Sequence, residues 1–143
     1  MTQSFVVFAF RLSLLLRPVS CHTTRVSRSL ELARPFLGKA VTVIIDRPLG
    51  SVHPREKDLI YPVNYGYIAD VAAPDGEDLD AYVLGVDKPL ETFTGVCLAI
   101  IHRLNDDDDK LVITPDKTNL STEEILEAVY FQEQFFKSII VRK

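Results

Sequence analysis

Short β-branched and apolar runs, broken by turn-rich or acidic segments, fill the chain from Val41 to Thr114. Val41-Thr-Val-Ile-Ile45 is the first, and side chains of this kind favour a pleated, half-buried strand. Pro48, Gly50 and Pro54 then open a loop that carries Arg47, His53, Arg55 and Lys57. Tyr61–Ile68 predicts a second strand, in which Gly66 marks a bulge or the close approach of another backbone. Asp80–Val86, Thr94–Arg103 and Leu111–Thr114 complete the set, the last two joined by the polar turn Asn105-Asp-Asp-Asp-Asp-Lys110. The spacing changes after Leu120. Ser121 is a good N-cap, and Glu124 three residues on completes a capping box. Ile125, Ala128, Val129, Gln132 and Phe136 then recur at helical intervals, with Leu126 and Phe135 widening the stripe. Five short strands followed by one helix predict a mainly-β α+β domain, a small barrel with a C-terminal helix packed on it.

The chain before Leu37 is of a different character. Its apolar runs, Phe5–Phe10 and Leu12–Leu16, are interrupted by Arg11. Neither approaches the roughly 18 apolar residues of a membrane span, and no clean signal-peptide cleavage site follows. Arg11, Arg17, Arg25, Arg28 and Arg34 stand there against Glu31 alone, although the whole chain has a net charge of -4. Residues 1–36 are therefore expected to be an extension, either a targeting segment or translated upstream sequence, outside a domain spanning 37–143. That domain is acidic, which argues against nucleic acid, whose phosphates require Lys and Arg; no membrane partner is expected either. Cys97 lies in the apolar run Val96–Ile101, where an inert buried thiol is the ordinary outcome. A lone core cysteine gives no disulfide framework, so a reducing, cytoplasmic location is expected.

The densest chemistry lies in Tyr61-Pro-Val-Asn-Tyr-Gly-Tyr-Ile68 and the hexapeptide Asp75-Gly-Glu-Asp-Leu-Asp80. Four carboxylates within six residues repel one another unless they are solvated or share a cation. Two unit charges about 4 Å apart cost roughly 4 kcal/mol at an effective dielectric of ~20. Hard divalent cations such as Mg2+ are the usual partners of bare oxygen ligands. A second acidic run, Asn105–Asp109, follows the strand Thr94–Arg103. If that strand pairs antiparallel with Asp80–Val86, both acidic runs meet at one rim. Taken alone, Asp106–Asp109 is more often a solvated turn, and His53 an exposed loop histidine.

The aromatic strand together with the acidic hexapeptide resembles the soluble inorganic pyrophosphatases of family I, most of all their short bacterial branch. The resemblance covers roughly Leu37 to Lys143 and is strongest over Tyr61–Leu84. It implies a five-stranded OB-like barrel, hydrolysis of inorganic diphosphate by a metal-activated water, Mg2+ as cofactor with Mn2+ as a substitute, and a family whose members often form homo-oligomers. Carried over position by position, it makes Asp75 and Asp80 metal ligands and places Glu77 where the family has an aspartate beside the nucleophilic water. Glu77 is thus both a metal and a catalytic candidate. Asp78 replaces a proline. Tyr65 matches the tyrosine of the Asn-Tyr-Gly motif and is the second catalytic candidate. Asp108 and Lys110 match a later aspartate and lysine, and Asp106 rather than neutral Asn105 stands for an earlier aspartate. Lys137 matches a phosphate-gripping lysine, with Phe136 in place of its tyrosine neighbour. Arg47 and Lys57 have the chemistry of phosphate ligands without a secure counterpart. Two alternatives accompany diphosphate hydrolysis: a catalytically weakened or inactive metal- or phosphate-binding module of the same fold, and a hydrolase of another small phosphoanhydride.

Overall fold

The computed structural model describes residues 27–73 and 76–143, apart from the side chains of Asp70 and Ala72. Strand β1 (Ala40–Arg47) buries Val41, Val43 and Ile45 on one face, the period of two that its β-branched residues favour. It pairs antiparallel with β2 (Asn64–Ala72), Ile45 facing Gly66 and Arg47 facing Tyr65. Asp46 is the extra residue between those two pairs, a bulge of the kind that re-aims side chains at strand ends. The second strand starts later and runs further than Tyr61–Ile68. Tyr61 is instead tied to the preceding loop, its N–H donating to the Ser51 carbonyl and its own carbonyl accepting from Gly50 N–H.

β3 (Asp78–Val83) pairs antiparallel with β2 and parallel with β5 (Lys110–Thr114). β4 (Thr92–Arg103) pairs antiparallel with both β5 and β1. The order β1-β2-β3-β5-β4 thus closes on itself as a five-stranded mixed barrel. A sixth strand, β6 (Ser138–Val141), which the sequence pattern does not predict, extends the sheet beyond the last half of β4.

This topology corrects the expected pairing of the third and fourth strands: β5 lies between them. The two acidic segments still meet, by another route. Because β3 and β5 are parallel, their first residues share a rim, and β5 begins beside the end of β4.

The capping box at Ser121 is present, and helix α2 (Thr122–Glu133) turns Ile125, Val129 and Glu133 inward; another helix, α1 (Arg28–Ala33), precedes the barrel. The apolar stripe does not continue to Phe136, because the helix stops at Glu133, and Phe135 ends 70% exposed. Helix α1 (Arg28–Ala33) is capped by the Ser27 hydroxyl, which accepts from Leu30 N–H. Leu30 and Ala33, 6% and 0% exposed, join the barrel core with Val41, Leu79, Cys97 and Ile100. Residues 27–36 were expected outside the fold; they lie against it, while 1–26 fall outside the described residues. Leu30→Ala is expected to cost about 2–5 kcal/mol in a urea unfolding curve; an unchanged midpoint would mean that α1 does not pack on the barrel. No helix among the described residues is long and apolar enough to cross a membrane.

Candidate active site

The barrel rim where β3 and β5 begin opens into a cavity of about 830 Å³. Its floor is built by three strands. Tyr65 on β2 reaches across to β3, and its hydroxyl donates to Asp80 Oδ2 at 2.7 Å. Lys110, the first residue of β5, donates through Nζ to the same oxygen at 2.7 Å and to Asp108 Oδ2 at 2.8 Å. The ammonium also lies 5.9 Å from the Tyr65 ring centroid. Lys110 is only 2% exposed, so its charge is tolerable because two carboxylates meet it. Burial, reinforced by the negative charge of Asp80, pushes the Tyr65 phenol well above its ordinary pKa. Tyr65 is therefore a fixed hydrogen-bond donor to Asp80 at neutral pH, not a base.

The bulge in β1 delivers Asp46 and Arg47 to the wall of the same cavity, 3.6 Å apart. Burial raises the Asp46 pKa; Arg47 opposes the shift and Asp80 adds to it, which places Asp46 within electrostatic reach of the floor. His53 also lines the cavity rather than standing free on its loop. Its Nδ1 accepts the N–H groups of Arg55 and Glu56 at 3.1 Å, and its ring stacks parallel to Tyr61.

A second buried charge network supports the rim. Arg103, at the end of β4, grips Glu133 with two parallel bonds, Nε at 3.0 Å and Nη2 at 2.8 Å. Glu133 also accepts from the Tyr82 hydroxyl at 2.7 Å. The third nitrogen, Nη1, faces Asp106 at 3.4 Å and Asp108 at 3.5 Å, and the guanidinium stacks on Phe136 at 3.6 Å. Burial on its own would lower the Arg103 pKa; the bonds and charge of Glu133 reverse that, so the group stays cationic. The aspartate run is accordingly more than a solvated turn. Asp107 accepts from Ser29 N–H, and Asp109, fully buried, accepts from Arg103 N–H and pairs with His102 Nδ1 at 2.9 Å.

The site residues expected from sequence divide clearly. Tyr65, Asp80, Asp108, Lys110 and Arg47 line one cavity. Asp106 sits outside its wall on Arg103, and Glu77 lies exposed in a bend before β3. Asp75 falls outside the described residues. Two others lie elsewhere. Lys57 is an exposed loop residue that does not line the cavity as described, and Lys137 borders a separate groove of about 390 Å³. The Lys137 backbone N–H is instead received by the side chain of Asn105. Arg103 and Glu133 were not among the expected site residues. Asp46 and Arg103 each sit at the end of a predicted strand, the one available signal; the Arg103–Glu133 pair joins residues 30 apart and leaves no local trace.

The donor chemistry suits a hard cation. Mg2+ is commonly held by one or two carboxylates, with water and substrate phosphate completing its shell, and Asp80 and Asp108 converge on one point. Among the described residues, no group of three or more His, Cys, Asp or Glu side chains is arranged to hold a metal ion.

A closed five-stranded barrel of this topology with a C-terminal helix is OB-like, and its rim carries paired carboxylates and cations. No family model matches the chain, and no curated protein matches it in sequence. Solved structures do. The chain is similar to an inorganic pyrophosphatase from Neisseria gonorrhoeae, with a TM-score of 0.54 and 21% identity over 66% of this chain and 72% of that one. It is similar to inorganic pyrophosphatases from Helicobacter pylori, with a TM-score of 0.55 and 19% identity over 73% and 85%, and from Coxiella burnetii, with 0.54 and 20% over 73% and 84%. At these identities the likeness is one of fold.

Proposed function

We propose that the chain hydrolyses inorganic diphosphate to two phosphates, with Mg2+ as cofactor and Mn2+ able to replace it. The observation that carries this reading is the convergence of Tyr65, Asp80, Asp108 and Lys110 on the floor of a cavity whose wall holds Arg47. The family I resemblance of Tyr61–Ile68 and Asp75–Asp80 supports it, as does the shared fold. Asp80 and Asp108 would hold the metal, with Asp75 and Glu77 assigned by resemblance. The bound ion supplies a polarised phosphoryl oxygen and a more acidic water. Arg47 and Lys110 bind phosphate oxygens through charge-assisted hydrogen bonds. Tyr65 fixes the Asp80 carboxylate, and Arg103, locked by Glu133, orients Asp108. A cytoplasmic location is proposed with it, on the ground that Cys97 in the barrel core is a free thiol, as suits a reducing compartment.

Phosphate release from diphosphate by the full chain, measured with Mg2+, with Mn2+ and with EDTA, tests the proposal. Turnover that needs a divalent ion is expected. One structural feature favours a second reading, a non-catalytic module for a phosphorylated ligand: Asp80 and Asp108 already have positive partners in Lys110 and Arg103. Tight diphosphate binding without phosphate release would select that module.

A further inference from the structure

Lys110 lies between the two carboxylates that the metal reading assigns to a divalent ion. Its ammonium contacts one oxygen of Asp80 and one of Asp108, at 2.7 and 2.8 Å. Two carboxylates this close stay ionised together only with a positive charge between them. Mg2+ takes oxygen ligands at about 2.0–2.1 Å, so an ion held by these same two oxygens would compete with the ammonium for them. We infer that Lys110 is a resident cation that a metal ion must displace, and that phosphate assists the exchange by receiving the displaced ammonium. This rests on the metal reading of the site and deepens it. The cavity provides for the transfer: Lys110 borders it, and an anion beside Arg47 would lie in the same space. Metal and phosphate are then coupled ligands, each improving the affinity of the other by the same factor.

Isothermal titration of the full chain with MgCl2, with and without inorganic phosphate, reads the coupling. In the wild type, Mg2+ alone should bind weakly, and phosphate should tighten it by about tenfold or more. In Lys110→Met, Mg2+ alone should bind about tenfold tighter than in the wild type, and phosphate should add little. Arg47→Met is the control for charge alone, because Arg47 pairs with Asp46 and not with the floor oxygens. Its effect on Mg2+ affinity should be clearly smaller. If Lys110→Met unfolds without metal, Lys110→Gln is used beside it. Recovery of the folded circular-dichroism spectrum by Mg2+ supports the inference, and failure to recover overturns it. Unchanged or weaker Mg2+ binding in Lys110→Met overturns it, as does equal tightening in Arg47→Met. Mg2+-dependent hydrolysis by the wild type alongside such a result would leave the proposed reaction standing. Tighter Mg2+ binding in Lys110→Met with no hydrolysis by the wild type would do the reverse.

Discussion

Asp80→Asn should lower phosphate release from diphosphate by about a thousandfold, a loss typical of removing one preorganised electrostatic group from a site. Asp80 Oδ2 accepts from both the Tyr65 hydroxyl and the Lys110 ammonium. Asparagine has almost the same shape but no charge. If its oxygen keeps the position of Oδ2, both donors keep a weaker partner; if it flips, an NH2 group faces an ammonium. In neither orientation does it attract a divalent ion as a carboxylate does. Asparagine leaves the buried Lys110 ammonium with Asp108 as its one charged partner, so the melting temperature should fall modestly while the protein stays folded. The pair of measurements is decisive: a rate close to wild type removes Asp80 from the chemistry, and a large fall in melting temperature transfers its role to the fold.

The second large effect is on stability. Gly66→Ala should destabilise the domain by about 3–5 kcal/mol, a substantial share of the 5–15 kcal/mol typical of a folded domain. A Cβ built on Gly66 would lie 1.9 Å from the Ile44 carbonyl oxygen and 2.8 Å from Ile45 Cα. Both are backbone atoms of β1 and have no rotamer into which to retreat. The strands would have to part at the bulge that positions Asp46 and Arg47, so surviving folded protein should also bind diphosphate poorly. The urea midpoint and the yield of soluble protein check this. A midpoint near wild type would show that β1 and β2 do not pair in the register Ile45–Gly66.

How far the fold was legible follows from what is local. β-branched runs marked β1, β4 and β5, and the capping box marked the start of α2, because propensity and capping act over a few residues. Strand ends were less legible: β2 begins at Asn64 because Tyr61 bonds the Gly50–Ser51 loop, a tertiary interaction. The four residues of β6 pair only with β4 and follow directly on a helix, and α1 lies in a segment whose arginines disguised the inward-facing Leu30 and Ala33. At the site, the aromatic and acidic motifs brought forward Tyr65, Asp80, Asp108 and Lys110. A surface lysine looks the same in sequence whether it faces a cavity or water, so nothing local separated Lys57 and Lys137, which lie away from the cavity wall, from a lysine that borders it. The Phe136 ring, which has no hydroxyl, carries the Arg103 guanidinium, a contact that the sequence did not foretell.

The fork between Arg103 and Glu133 also bears on the order in which the molecule can be assembled. During synthesis Arg103 leaves the ribosome 30 residues ahead of its partner. Until the last turn of α2 follows, that guanidinium has only Asp106 and Asp108 within reach and lacks the buried two-bond partner that Glu133 provides. A barrel lacking α2 is therefore not a stable folding intermediate with a finished rim. The finished rim needs the helix as well as the barrel: Gln132, Phe135 and Phe136 line the cavity from that side.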